Sequence, residues 1–362
     1  MLLMPIQENL SKISFAESLG EQVIKAGKCV GCRACVVACP FECLQFKNTG
    51  SILVKECKNC GICARVCPRY GESQIEFEKS VFGRERNADE EFGVYQRLAV
   101  GQAVDKEILS VSQDGGVVTA LLLFALESNL VDGAVVSGVN GLEPLLPIPK
   151  LAASRNEILG CSGTRYCYSP SILALSGVIK QKRTSVAFVG TPCQIQAVRK
   201  MQRAGMKKFV GSLKYLIGLM CSECFTYEGF VEKHIRRTLG LDPNVITKVN
   251  IKGKMLVTAG SDVHSIPLVE IKQYSRENCK SCTDFSSELA DISCGGLGLN
   301  GWTFTVIRTE RGAELFEAAE KAGVIRTRDV KEEPNAISLL CKLSKKKRQK
   351  LVSKEIGALV CS

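Results

Sequence analysis

The feature that most constrains this chain is a cysteine run that occurs twice. Cys29-Val-Gly-Cys32-Arg-Ala-Cys35-Val-Val-Ala-Cys39-Pro40 recurs 28 residues on as Cys57-Lys-Asn-Cys60-Gly-Ile-Cys63-Ala-Arg-Val-Cys67-Pro68, so each copy reads C-x2-C-x2-C-x3-C-P. The whole chain of 362 residues holds nineteen cysteines and two histidines. An odd number of thiols cannot pair completely within one chain, and structural disulfides are not expected in a reducing compartment, which leaves metal as the reading. His234 and His264 are too few for a three-histidine zinc site, so zinc would rest almost wholly on thiolates. Iron–sulfur clusters, each held by four cysteines, fit the supply better.

The repeated spacing is that of the bacterial two-cluster ferredoxins. Three close thiolates of one copy can wrap three corners of a cubane, while the fourth reaches across to the other cluster. One cluster would then be held by Cys29, Cys32, Cys35 and Cys67, and the second by Cys57, Cys60, Cys63 and Cys39. Proline after each fourth cysteine keeps that cysteine out of helical geometry. A zinc ribbon would use the C-x2-C pairs but leave the third and fourth cysteines of each run without a role. Cys43 is surplus and reads as a buried small apolar side chain.

The length allows two or three domains, and 45% hydrophobic residues exclude a disordered chain. The longest apolar run, Val117 to Leu126, is ten residues, about half of what a membrane-spanning helix needs. The opening MLLMPIQENLSK lacks a basic segment followed by an apolar core, so no secretory leader is expected and a cytoplasmic protein is. Lys+Arg number 48 against 37 Asp+Glu, and seven of the basic residues fall between Lys342 and Lys354 with no acid among them. That run reads as a solvated helix face or frayed tail, with docking to an acidic partner or anionic lipid as the second reading. No aromatic residue interleaves with it, which argues against nucleic acid. The expected organisation is a two-cluster ferredoxin domain at 1–80, a charged linker at 81–95 within a cysteine-free stretch that begins near Gly71, a larger domain at 96–340, and a basic tail at 341–362.

In the larger domain, Leu98–Gly101 and Ala134–Ser137 read as buried strands with a helix over Val117–Leu126 between them. Gly115-Gly116 enters that helix, where exposed N–H groups suit an anion such as a pyrophosphate; an ordinary tight turn is the competing reading. Ser185–Val189 is a second strand, closed by Gly190-Thr191-Pro192-Cys193, which puts Cys193 at a strand's carboxyl end, where open α/β sheets assemble ligand sites. Tyr215–Met220 repeats the pattern and ends in Cys221-Ser-Glu-Cys224. With Cys279-Lys-Ser-Cys282 and Cys294 further on, a third four-thiolate site is expected, iron–sulfur or structural zinc. Gly296-Leu-Gly298-Leu-Asn-Gly301 formally matches G-x-G-x-x-G, but a strand-like run follows it where a dinucleotide fold requires a helix. A thiol enzyme built on Cys193 would lack a nearby histidine to activate it.

Taken together, Gln113-Asp-Gly-Gly-Val-Val-Thr-Ala-Leu-Leu122, Gly163-Thr-Arg-Tyr166, Val189-Gly-Thr-Pro-Cys-Gln-Ile-Gln196, Gly218-Leu-Met-Cys221, Cys279-x-x-Cys282-x-Asp284-Phe and Ala290-Asp-Ile-Ser-Cys-Gly-Gly resemble the family of beta subunits of coenzyme F420-reducing hydrogenase and formate dehydrogenase. The resemblance implies a ferredoxin domain followed by an α/β flavin domain that binds FAD, exchanges a hydride with coenzyme F420 and carries its own [4Fe-4S] cluster, making three clusters in all. It assigns the third cluster to Cys193, Cys221, Cys279 and Cys282, with Cys224 and Cys294 as alternates. It places Gly115, Gly116 and Thr119 against the FAD phosphates or ribityl chain, turns Gly163, Thr164, Arg165 and Tyr166 toward the flavin, and adds Gly190 and Thr191 to the cofactor-binding set. Arg165 stands where the family's pattern leads one to expect lysine, which keeps the charge and changes the hydrogen-bond geometry. Two clusters ahead of the flavin domain imply a member that oxidises reduced F420 and feeds a membrane-bound respiratory complex reducing methanophenazine or a quinone, from a peripheral place on the cytoplasmic side. A soluble F420:ferredoxin oxidoreductase and a non-catalytic iron–sulfur adaptor are the alternatives. Coenzyme F420 carries phosphate and carboxylates, so a basic entrance would favour its capture.

Overall fold

The computed structural model describes residues 13–71 and 73–360, with side chains through residue 349; the opening segment read above for a leader lies outside the described residues. Each cysteine run folds around a short helix, α1 (Ala34–Ala38) and α2 (Ile62–Arg65), entered through a left-handed residue, Arg33 or Gly61. Cys39 ends α1 in an extended conformation, as the proline after it requires. The antiparallel hairpin β1 (Leu44–Lys47) and β2 (Gly50–Leu53) lies between the runs, and a helical segment, Ala16–Lys25, lays Leu19 and Val23 over them.

The charged stretch expected as a linker is not a tether. Helix α3 (Gln74–Phe82), opened by a reciprocal capping box between Ser73 and Glu76, runs through the charged residues ahead of that linker and into its first two positions. Glu78, buried on this helix, pairs with Arg86, and Arg86 also pairs with Glu288 of the larger domain. The expected boundary at residue 80 therefore falls inside a packed helix.

The larger domain is built on an eight-stranded mixed sheet. Its strands are β3 (Arg97–Ala103), β4 (Gly133–Val139), β5 (Pro147–Ala152), β6 (Val186–Gly190), β7 (Leu213–Leu219), β11 (Ile292–Gly295), β12 (Thr303–Ile307) and β13 (Ile325–Arg328), in the spatial order β13-β3-β12-β11-β7-β6-β4-β5. Strands β4, β6, β7 and β11 run parallel, and the remaining pairings are antiparallel. The parallel centre is apolar on both faces because helices cover both. Ala187, Val189, Tyr215 and Ile217 face α4 (Val117–Glu127) and α6 (Glu310–Lys321). Val186, Phe188, Leu213 and Leu216 point the other way, toward α5 (Pro192–Arg203). Val30, Ala34, Ala38 and Val66 of the ferredoxin lobe join that second face. A separate three-stranded antiparallel sheet, β8 (Ile246–Lys252), β9 (Lys254–Ala259) and β10 (Asp262–Ile266), packs Met255 and Val257 against Phe230, Val231 and Ile235.

The basic run expected as a tail belongs to helix α7 (Pro334–Val360). Ala336 and Leu340 are buried against Phe92, Val100, Phe285 and Phe304, and Ser344 and Lys347 are buried in the following turns. Among the described residues no helix is long and apolar enough to cross a membrane.

Candidate functional site

The ferredoxin lobe gathers its eight cysteines into two cavities. Cys29, Cys32, Cys35 and Cys67 line one, with Leu19, Val23 and Phe46. Cys39, Cys57, Cys60 and Cys63 line the other, with Phe15, Phe41 and Leu44. Three thiols in each come from one run and the fourth from the other, the arrangement that the spacing predicts. Burial raises Cys35 to about 11 and Cys63 and Cys67 to about 12. Backbone N–H groups of Gly31, Cys43 and Asn59 donate to the sulfurs of Cys29, Cys39 and Cys57 at 3.4, 3.3 and 3.5 Å, and hydrogen bonds to sulfur are one of the factors that set cluster potentials. Cys43 is buried, as expected, but it lines the second cavity. Cys60 is exposed.

A third thiol group forms in the larger domain, where β6 and β7 end. Cys193 opens α5, Cys221 and Cys224 follow β7, and Cys279 and Cys282 lie on the turn Glu277–Ser281 and just after it. The sulfurs of Cys221 and Cys224 are 3.8 Å apart, and the N–H of Cys224 donates to Cys279 Sγ at 3.4 Å. Cys294, the other alternate, faces the opposite side of the sheet, 3.9 Å from Thr305 Oγ1 in the core under α4 and α6. Among the described residues no three thiols or carboxylates converge tightly enough to chelate a single ion.

Two cations stand beside these thiols. Arg276 is buried and stacks on Tyr168 at 3.6 Å, and Lys347 reaches the group from α7. The hydrogen bond from the Cys224 thiol lowers Cys279 to about 6, with the Cys224 N–H, Arg276 and Lys347 adding to it against burial. The same hydrogen bonds, to Cys221 and Cys279, push Cys224 up.

The motif glycines lie along the same carboxyl edge of the sheet. Gly116 takes a left-handed φ of 71° at the start of α4. A Cβ on Gly115 would sit 2.6 Å from the Gly101 carbonyl and 2.7 Å from Thr303 N, so only glycine fits between β3 and β12. Thr119 Oγ1 hydrogen-bonds Ser162 Oγ at 2.9 Å, which ties this helix to the loop of Gly163, Thr164, Arg165 and Tyr166. The β8–β9 hairpin closes over the loop, with Tyr166 packed against the cluster of Val249, Met255 and Val257 and with Lys248 and Lys252 acting on Asp114. Thr191 stands apart from these residues. Its hydroxyl caps α5 and lies 3.3 Å from Cys193 Sγ, so Gly190 and Thr191 join the carboxyl edge to the third thiol group.

Several buried polar atoms on the segments meeting here have no partner among the described residues: Ser112 Oγ, Gln113 Nε2, Ser137 Oγ, Arg165 Nε, Tyr168 OH and Ser169 Oγ. Buried polar groups are ordinarily hydrogen-bonded, so this set fits a polar cofactor seated along the edge. Sequence reasoning missed Arg276, Lys347 and the hairpin lysines. Only Lys347 carried a signal, the spacing of Ala336, Leu340, Ser344 and Lys347 along one helix face.

Paired ferredoxin thiol cavities joined to an α/β sheet whose carboxyl edge carries a further thiol group define a component of an iron–sulfur oxidoreductase. Residues 98–176 and 183–333 match the models for the amino- and carboxy-terminal parts of the coenzyme F420 hydrogenase/dehydrogenase beta subunit, and residues 20–41 match a 4Fe-4S binding domain. The chain belongs to the family of coenzyme F420 hydrogenase/dehydrogenase beta subunits, whose members are components of F420-dependent oxidoreductases. It is 35% identical over 271 residues to the beta subunit of the coenzyme F420 hydrogenase of Methanothermobacter thermautotrophicus, covering 74% of this chain and 95% of that one. It is 30% identical over 345 residues to a subunit of the F(420)H(2) dehydrogenase of Methanosarcina mazei, covering 91% of each. Among solved structures it resembles a chain of the F420-reducing [NiFe] hydrogenase complex from Methanosarcina barkeri, with a TM-score of 0.70 and 33% identity over 74% of this chain and 94% of that one.

Proposed function

We propose that this protein oxidises reduced coenzyme F420 and delivers the electrons one at a time, through three [4Fe-4S] clusters, to the other subunits of a membrane-bound dehydrogenase. The observation that carries the reading is the contact between the third thiol group and the ferredoxin lobe. On the turn that bears Cys279, Asn278 Nδ2 donates to the carbonyls of Cys29 and Thr49 at 3.0 and 2.7 Å. Ser281 Oγ donates to the Cys29 carbonyl at 3.4 Å. The cavity of Cys29 is thereby the inner one and that of the exposed Cys60 the outer, which orders the relay from the third thiol group outward.

FAD, when bound, supplies the conversion between a two-electron hydride donor and one-electron iron–sulfur acceptors. Its phosphates would be held at the N-terminus of α4, where Gly115 and Gly116 let the backbone approach and the N–H groups face an anion. Arg165 and Tyr168 offer their partnerless donors to its polar atoms. Lys248 and Lys252 on the hairpin form a basic entrance for the phosphate and carboxylates of coenzyme F420. Cys193, Cys221, Cys279 and Cys282 would hold the third cluster, with Cys224 close enough to exchange for one of them. The match to the F(420)H(2) dehydrogenase component over nearly its whole length, ferredoxin part included, supports a dehydrogenase partner. A peripheral place on the cytoplasmic face follows from that reading.

The test is an anaerobic assay of FAD-loaded, cluster-loaded protein with reduced F420 and a viologen acceptor, with NADH and NADPH in parallel. Return of deazaflavin absorbance with reduced F420 alone is the expected result, and turnover with a nicotinamide overturns the substrate. Free ferredoxin accepting electrons as fast as the viologen does would instead favour a soluble F420:ferredoxin exchange.

A further inference from the structure

We propose that Lys347 raises the reduction potential of the third cluster, acting on it and not on the two ferredoxin clusters. The proposal rests on the reading that the third thiol group holds a cluster.

Helix α7 is held so that Lys347 has little freedom. Its preceding turns are buried through Ala336, Leu340 and Ser344. On either side of Lys347, Lys345 pairs with Glu91 at 2.5 Å and Arg348 with Glu288 at 3.0 Å. Lys347 itself is only 5% exposed. It has no carboxylate at ion-pair distance among the described residues, and the anionic groups that act on it are Cys282, Cys221 and Cys279, then Asp284. An ammonium taken out of water without a counter-charge is strongly disfavoured, so its burial makes sense only if the thiol group carries lasting negative charge. A four-thiolate cubane does, and it gains one more negative charge when it takes an electron. A fixed cation beside it favours the reduced form, and a buried one is little screened by salt.

The inner ferredoxin cavity has cations of its own, Arg33 and Arg69, which line it, and Arg69 acts on Cys29 and Cys67. Arg276 acts on Cys29 as well as on Cys193, Cys224 and Cys279, so it does not separate the inner ferredoxin site from the third group. Near the outer site, Lys55 and Lys58 are more than half exposed and paired with Glu42 and Glu56. Lys347 is the buried ammonium of the third group, and no buried lysine lines either ferredoxin cavity. Asp284, itself buried beside Glu288, opposes it in part. The step concerned is one electron accepted by the cluster from the reduced flavin, with no proton and no bond made or broken at Lys347.

The experiment is an anaerobic potentiometric titration of the full-length, FAD- and cluster-loaded protein followed by electron paramagnetic resonance, with the third signal identified by its absence from Cys282→Ser. Lys347→Met should lower the potential of that signal, changing the reduced-to-oxidised ratio at a fixed potential about tenfold, equivalent to about 59 mV for one electron. The two ferredoxin signals should stay in place. Lys347→Arg should restore the native value, and Lys345→Met should leave it unchanged. If Lys347→Met fails to load its clusters, Lys347→Gln replaces it with the same expected shift. A three-cluster protein whose third potential ignores both neutral variants, or in which all three potentials move together, overturns the proposal alone. Native protein that loads only two clusters overturns the reading beneath it as well.

Discussion

The ferredoxin cavities and the third thiol group collect the same kind of ligand from different distances along the chain. In the ferredoxin lobe all eight thiols lie between Cys29 and Cys67, and the cavity walls are mostly apolar side chains from the same short segment. In the larger domain Cys193, Cys221 and Cys279 meet only after two parallel strands and a distant turn are in place, and two buried cations accompany them. The first arrangement depends on local turns and can be damaged locally. The second depends on sheet register, so residues far from any sulfur should be able to destroy it.

Four substitutions test that contrast, beginning with the most damaging. Cys32→Ser removes a buried thiol from the inner ferredoxin cavity. Because metal binding and folding are coupled in small metal-bound lobes, it should release about four irons per chain and expose the lobe to proteolysis, with the third cluster's signal retained. Arg199→Met acts at a distance. Arg199 pairs with buried Asp291 at 2.8 Å, and Asp291 also accepts from Leu216 N–H and Thr309 Oγ1, so this carboxylate fastens α5, β7 and the start of β11 together. Leaving it uncompensated should cost roughly 3–5 kcal/mol, read as a lower denaturant midpoint, and deplete the third cluster before the ferredoxin pair.

Gly115→Ala forces a methyl group against the Gly101 carbonyl and Thr303. It should cost roughly 1–3 kcal/mol and reduce FAD content measured after anaerobic purification, with iron content unchanged. Cys294→Ala should do least. It lies on the far face of the sheet, so about 1 kcal/mol of stability is expected to go, with no change in iron. Loss of iron there would blur the distinction between the two sides of the sheet.

What could be read in the sequence follows the same division. The strands at 133–139, 186–190 and 213–219 announced themselves as apolar runs because a parallel centre covered on both faces leaves no polar alternation, and those at 97–103 and 303–307, antiparallel beside that centre, read as apolar runs too. The ferredoxin thiols were legible because their partners lie within one repeat. The third group was legible as a set of candidates only: neither spacing nor composition reveals that Cys224 sits with Cys221 while Cys294 points through the sheet to Thr305. One stretch was misjudged for its charge. Residues 81–95 read as a linker within a charged stretch that begins near Gly71, although Ser73-x-x-Glu76 is a helix-start signal and the buried pair Glu78–Arg86 turns charge into structure. The run from Lys342 read as a solvated helix face or frayed tail, and its described part is a largely exposed helix face whose one buried basic residue is Lys347; a single buried lysine cannot be told from its exposed neighbours until the fold supplies the thiols beside it.

The bonds from Asn278 to Cys29 and Thr49, together with that from Arg203 to the Glu76 carbonyl, fasten the ferredoxin lobe to the larger domain at two separate places. A lobe that swung between donor and acceptor would carry electrons at a pace set by solvent drag. A lobe anchored in this way leaves nothing to swing, so glycerol should slow the arrival of the deazaflavin and the departure to the acceptor, and leave the passage between the clusters indifferent to viscosity.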